Sequence, residues 1–407
     1  MNKNILVVHP TGNQNSKAVA RGLADADLLH AFITALHLNS NKWNWLPSKL
    51  VAEIKRRDFN EIKYSIISAS AFREGLRVLA NKLKLNFLIK HEVGFSSVDN
   101  VYHATDRFAS KYLKKYASEI SAVYCYEDGA LETFKVAKKF NIKCIYELPI
   151  GYWRAHHRLN KEESTLQPEW ANSWNATQDS KAKLARKDEE LALANHIIVA
   201  SSFTKKTLED YPQPLAPITV VPYGCPRHDG TLDRNWFQAE DTLKVLYVGG
   251  LSQRKGLSYL VEAIDSLDNK VEFSFIGNGT AVELVQEKLP HASYLGTMPH
   301  SQVLEAMLEH DVLVFPSLFE GFGMVITEAM SQGMVVIATD HTALPDIADE
   351  STGILIPVRD SMAIADALNN LINSPEKIEK IGRSSMRLAQ AYQWRDYESK
   401  IVKAVTK

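Results

Sequence analysis

The chain has 407 residues, 45% hydrophobic and 23% charged, with 47 Lys+Arg against 48 Asp+Glu. That hydrophobic share excludes a disordered chain, and 19 Gly with 15 Pro exclude collagenous or low-complexity sequence. Cys125, Cys144 and Cys225 are too few for a disulfide scaffold and lack metal-ligand spacing. The formal charge of −1 divides unevenly: residues 1–222 carry +8 and the remainder −9. A basic half of this kind suits an anionic ligand or surface, or is ordinary solvated surface.

The first apolar run, Ile5–Val8, predicts a buried strand entering the turn His9-Pro10-Thr11-Gly12. It is too short for a signal peptide, and no run approaches the ~20 apolar residues of a membrane span. The expectation is a cytoplasmic protein, soluble or peripheral at the inner face of a membrane. Further strands are predicted at Ile62–Ser68, Ala122–Cys125, Cys144–Glu147, His196–Ala200, Thr219–Val221, Lys244–Val248 and Glu272–Ile276. Four more follow, at Ser293–Leu295, Val312–Phe315, Val335–Ala338 and Gly353–Ile356. Helical patterns such as Tyr259-Leu260-Ala263-Ile264 lie between them. Alternation of apolar strands and amphipathic helices predicts an α/β fold with parallel sheets covered on both faces. Two Rossmann-like lobes fit, 1–222 and 242–407, joined by a Gly-, Pro- and polar-rich linker over 223–241. The segment from Ile378 to Val405 reads as helix with a break near Tyr392-Gln393-Trp394. It caps the second lobe or crosses back to the first.

Each lobe opens with a strand and a glycine turn: Pro10-Thr11-Gly12-Asn13, and Gly249-Gly250-Leu251-Ser252. Backbone amides at such turns suit phosphate, although neither turn has the full G-x-G-x-x-G and each also reads as a plain tight turn. After the second turn come Arg254 and Lys255, either a pair that neutralises a diphosphate or a solvated corner. Further on, Phe315-Pro316-Ser317 ends a strand before Glu320-Gly321-Phe322-Gly323-Met324-Val325-Ile326-Thr327-Glu328. Two carboxylates eight apart at a strand's C-terminal end can reach one elongated ligand, accepting from sugar hydroxyls. Gly323, Met324 and Val325 offer helix N-terminal amides to phosphate.

These residues, with Pro345-Asp346-Ile347 beyond them, resemble the retaining nucleotide-sugar glycosyltransferases of the GT-B fold, in particular family 4, over about Lys244 to Val358. Ala194 to Ser202 and Val221-Pro222-Tyr223-Gly224 extend the likeness loosely into the first lobe. The resemblance implies a facing pair of lobes, acceptor on the first and donor on the second. It implies that Arg254 and Lys255 hold the donor diphosphate, Glu320 contacts the donor sugar and Glu328 the ribose. Gly12, Gly250 and Thr297 would complete the donor site, with the base near Gly296-Thr297-Met298. No metal or other cofactor is expected. Asp25-Ala26-Asp27 spells a metal-binding D-x-D, but lies in a helical stretch and reads as surface.

In the first lobe the resemblance departs: Tyr126 stands where many relatives carry a histidine, followed by Glu127 and Asp128. These bind an acceptor hydroxyl, act as a base, or are helix N-terminal acids facing the dipole. Asn13 and Tyr152 are further acceptor-side candidates; Tyr152-Trp153-Arg154 reads as a sugar platform or as core. Trp43-Asn44-Trp45 beside Lys49, Lys55, Arg56 and Arg57, with Lys111, Lys114 and Lys115, reads as an anionic-membrane contact or as core beside solvated lysines. The expected partners are a nucleotide-sugar donor and a glycan or glycolipid acceptor, with no nucleic acid. A sugar-nucleotide epimerase of the same fold and a non-catalytic nucleotide-sugar-binding protein are the alternatives.

Overall fold

The computed structural model describes residues 4–43, 54–62, 65–174, 178–226, 234–238 and 240–406. Among them, thirteen strands form two all-parallel sheets. The first contains β1 (Ile5–Val8), β2 (Leu29–Thr34), β3 (Ile66–Ser68), β4 (Ala122–Tyr126), β5 (Lys143–Leu148), β6 (His196–Val199) and β7 (Ile218–Val220), in the order β3-β2-β1-β4-β5-β6-β7. The second contains β8 (Leu243–Val248), β9 (Val271–Ile276), β10 (Ser293–Gly296), β11 (Val312–Phe315), β12 (Val335–Thr339) and β13 (Ile354–Ile356), ordered β10-β9-β8-β11-β12-β13. β1, β4, β11 and β12 are buried along their whole length, as continuous Val/Ile/Leu-rich runs require when helices cover both faces. Strand order reverses between β1 and β4 and between β8 and β11. Ligands of open α/β sheets bind at the C-terminal strand ends beside such reversals, where both glycine turns and the Phe315–Glu320 segment sit.

β2 is the strand that the sequence pattern does not announce, because His30 interrupts its apolar run. Asp25-Ala26-Asp27 before it is not helical throughout: the helix Gln14–Asp25 stops there and Asp27 turns the chain at φ +54°. All three residues are exposed.

The C-terminal segment crosses back to the first lobe. The helix Pro375–Ala391 stays on the second lobe, where Ser385 Oγ donates to Thr352 O at 2.7 Å. Helix Trp394–Thr406 then lies on helix Gln14–Asp25, with Arg21 Nε donating to Glu398 Oε1 at 2.7 Å. Gly22 makes this approach possible, since a Cβ there would meet Glu398 Cβ at 2.8 Å.

The lobes also touch directly. Glu163, on the first-lobe helix Trp153–Leu166, is buried and accepts from Gln253 Nε2 (2.7 Å), Tyr259 OH (3.0 Å) and Arg359 Nε (2.8 Å), all from the second lobe. A buried carboxylate is tolerated when its lone pairs are filled in this way. Gly321 packs against Pro149, and its carbonyl accepts from Thr204 Oγ1 at 3.0 Å. Asp346 takes the Ser202 amide at 2.7 Å.

Candidate active site

The second-lobe site is assembled by backbone packing. After the Gly249-Gly250 turn, Gln253–Lys255 form a single 3-10 turn ending at Gly256, which has φ +70°. A Cβ on Gly256 would lie 2.0 Å from Pro316 O, so only glycine lets this turn sit on the end of β11. Arg254 O then accepts from Leu318 N at 2.9 Å, and Arg254 Nη1 donates to Phe319 O at 2.6 Å. The result is a charge cluster: Lys255 Nζ pairs directly with Glu320 Oε2, and Arg254 Nη1 stands 3.7 Å from the same oxygen. Lys255 also lies 4.6 Å from the Phe315 ring centre. Burial opposes ionisation of Glu320, but the charges of Lys255 and Arg254 outweigh it and hold the carboxyl below its usual range. Burial pulls the Lys255 ammonium down, against the attraction of Glu320.

Two cations around one carboxylate leave an excess of positive charge at the mouth of the glycine turn. Gly250 there has open space around its α-carbon. Gly323, at φ +85°, starts the helix Met324–Ser331, whose first amides include Met324 and Val325. Glu328, on that helix, accepts at Oε1 from the exposed His300 at 2.9 Å. Thr297 Oγ1 is exposed near Gly277 O, at 3.4 Å. Glu320, Arg254 and Lys255 are thus brought together, with Gly323, Met324 and Val325 following on the same loop and helix.

The first-lobe turn is built differently. His9 is buried, and its Nδ1 accepts from Gly12 N at 2.8 Å and Thr11 N at 3.2 Å. Burial drives the His9 imidazole down to about 3, so it is neutral and able to accept. Gly12, at φ +60°, lies under Phe59, whose Cζ would be 2.2 Å from a Cβ. Its amide and its open face are both occupied within the protein, against the expectation that it contacts phosphate. Asn13 is exposed and caps the helix Gln14–Asp25, accepting from Ser16 N at 3.0 Å.

Three acceptor-side expectations change. Tyr126 is buried, its ring edge-on to His9 at 4.5 Å, and presents no surface to an acceptor. Tyr152 is buried too; its hydroxyl donates to Asp188 at 2.6 Å, so it is core rather than platform. Glu127 and Asp128 do not cap the helix Leu131–Lys139. Asp106 and Glu190, both fully buried, reach across from other helices to take the amides of Asp128, Ala130, Leu131, Glu132 and Thr133. Glu127 instead lies 3.4 Å from Lys187. Burial pushes its carboxyl up to about 7, with Lys187 opposing and Asp128 adding to the rise.

Two groups have no motif to mark them in the sequence. Glu147 is buried at the end of β5 and accepts from Tyr124 OH (2.6 Å), Asn15 Nδ2 (2.9 Å) and Tyr223 OH (2.9 Å). It binds the helix after the first glycine turn to the start of the linker. Among the described residues, His91, Glu92 and Asp179 bring metal-ligand atoms together. Lys183 Nζ stands 2.9 Å from Asp179 there. Trp45 and Lys49 lie outside the described residues; Lys111, Lys114 and Lys115 are exposed on the helix Val98–Lys115.

Two parallel-sheet Rossmann-like domains, their strand ends brought together across a cleft, define the GT-B architecture. Solved structures share it: sucrose-phosphate synthase of Thermosynechococcus elongatus superposes with a TM-score of 0.66 at 17% identity, over 99% of this chain and 98% of that one. Anabaena HepE in complex with UDP and glucose gives 0.60 at 14% identity, over 99% of each chain. Residues 242–374, most of the second lobe, match the family model Glycosyl transferases group 1. Among curated relatives, the sulfoquinovosyl transferase of Arabidopsis thaliana is 31% identical over 163 residues. That stretch is 39% of this chain and spans 32% of the relative's length.

Proposed function

We propose that the chain is a retaining, metal-independent hexosyltransferase that moves a sugar from a UDP- or GDP-sugar to an acceptor hydroxyl. The setting we propose is cell-surface glycan or glycolipid assembly, at the inner face of the membrane. One observation carries the reading: Arg254 and Lys255 converge on Glu320 beside an open glycine turn and a helix N-terminus. In this account the two cations receive the donor diphosphate and stabilise its charge as the glycosidic bond breaks. Glu320, kept ionised by the same cations, accepts from sugar hydroxyls, and Glu328 exchanges His300 for the ribose hydroxyls. The departing phosphate takes the acceptor's proton as the acceptor oxygen bonds to the anomeric carbon on the same face. Asn13, Glu127 and Asp128 line the acceptor side. HepE, a structural neighbour bound to UDP and glucose, supports the donor class by likeness of fold.

A thermal-shift panel of UDP-, GDP- and ADP-sugars tests the donor site. A donor at about a hundred times its dissociation constant adds about 2.7 kcal/mol of stability. No shift with any member would refute the reading. Donor consumption without acceptor would instead favour an epimerase.

A further inference from the structure

Large hydrophobic side chains are exposed together in one short stretch of the first lobe. Phe72 is 76% exposed, Phe87 71% and Val93 70%, and Leu79, Leu83, Phe95 and Val98 are exposed with them. Phe72, Leu79 and Leu83 fall at i, i+7 and i+11, one stripe along and just beyond the helix Ala71–Lys82. The buried residues of that helix, Glu74 and Ala80, lie off this stripe. The helix therefore turns an apolar stripe outward, which packing within the lobe does not explain.

The stripe continues into the following loop. The rings of Phe72 and Phe95 meet edge-to-face at 6.3 Å, and the Arg73 guanidinium covers Phe95 at 3.9 Å. That loop is folded: Ser96 N donates to Leu88 O at 2.8 Å, and Gly94 N to Lys90 O at 2.7 Å. A Cβ on Gly94 would lie 2.6 Å from Leu88 O, so glycine is needed for this closure. The apolar surface thus has a fixed shape.

Its charge is one-sided. Between residues 71 and 98 the cations are Arg73, Arg77, Lys82, Lys84 and Lys90, against Glu74 and Glu92. Glu74 points inward, pairing with Arg57 and Arg77, and Glu92 Oε1 is taken by Ser180 N at 2.7 Å. Exposed Lys82, Lys84 and Lys90 alternate along the chain with the exposed Leu79, Leu83, Phe87 and Val93. Exposed apolar groups interspersed with cations complement the interface of an anionic bilayer, where rings bury and lysines meet headgroup phosphates.

We infer that the surface formed by residues 71–98 docks this protein onto an anionic membrane. It is formed by other residues than the tryptophan-containing and lysine clusters that the sequence suggested. Its position also fits an acceptor held in that membrane, a link that rests on reading the first lobe as the acceptor lobe. The helix Ala71–Lys82 contributes Arg77, Val78, Asn81 and Lys82 to a cavity of about 360 Å³, which Arg56, Arg57 and Thr11 complete. Thr11 belongs to the glycine turn at the end of β1, so the cavity lies between that turn and the inward side of the helix.

Co-sedimentation with vesicles tests the inference without any enzymatic readout. The full chain is expected to pellet with equimolar phosphatidylcholine–phosphatidylglycerol vesicles at low salt and not with pure phosphatidylcholine. Phe72→Ser/Phe87→Ser, at positions exposed enough to leave the fold intact, should weaken partitioning by about tenfold or more. Lys84→Glu/Lys90→Glu should remove the preference for anionic lipid. Failure of the wild type to pellet, or pelleting of both variants equal to that of the wild type, overturns the inference. A concentration-dependent dimer in sedimentation velocity that Phe72→Ser/Phe87→Ser abolishes also overturns it, assigning the surface to a second copy. Melting shifts with nucleotide-sugars should be the same in wild type and variants. Their loss in all forms would count against the transferase reading and leave the docking result standing.

Discussion

The two glycine turns occupy equivalent places, each after the first strand of its sheet, yet they are built to opposite ends. In the first lobe the turn is closed on itself: His9 takes the amides of Thr11 and Gly12, and Phe59 covers Gly12. In the second lobe Gly250 stands open, and the following turn carries Arg254 and Lys255 to Glu320. A glycine after a strand therefore signals a steep change of chain direction, and the groups around it decide whether an anion can use it. A buried neutral imidazole fills the role in one lobe that a ligand phosphate is proposed to fill in the other.

The contrast can be broken most sharply at Lys255. Lys255→Ala removes one of the two cations and leaves Glu320 largely buried beside Arg254 alone. Transfer should fall by about 10²–10³-fold, the scale of losing one preorganised electrostatic group. Single-turnover rates at saturating donor would measure it. Next comes the backbone. Gly256→Ala forces a side chain into φ +70° against Pro316 O, so loss of about 1–3 kcal/mol of stability is expected from strain alone. Gly250→Ala meets open space and should change stability by no more than about 0.5 kcal/mol. Urea midpoints of the two variants give the comparison directly.

A pH dependence sharpens the first-lobe side. His9 is held near 3 when folded and returns toward 6.5 when unfolded. Between those values the unfolded chain binds a proton that the folded one does not, so stability falls as pH drops below about 6.5. The slope from this group approaches about 1.4 kcal/mol per pH unit. His9→Asn keeps an acceptor for the two amides and removes the titration. Its stability should therefore decline less than wild type between pH 6.5 and 4.5, read from denaturant midpoints at each pH. An unchanged decline would mean that His9 is not the buried base described.

What could be read from the sequence follows the same division. The second-lobe cluster is legible because its parts lie within two short local segments, Gly249–Gly256 and Phe315–Glu328, whose glycines and charges adjoin. Continuous apolar runs marked most strands for the same reason. The first-lobe site is assembled from afar: Glu147 gathers Asn15, Tyr124 and Tyr223, and Asp106 with Glu190 caps a helix that neither belongs to. Spacing along the chain carries no trace of such partners, so Tyr126 and Tyr152 read as ligand contacts when packing makes them core. β2 was hidden by a single histidine. The outward stripe of Phe72, Leu79 and Leu83 was hidden by its own periodicity, which equally describes a core face.

The direct test of the account is calorimetric titration of UDP and GDP into wild type, Lys255→Ala and His9→Asn. The account predicts that at least one nucleoside diphosphate binds the wild type, binds His9→Asn equally, and binds Lys255→Ala about tenfold or more weakly. Undiminished binding to Lys255→Ala, with loss in His9→Asn, would place the diphosphate at the first turn and contradict it.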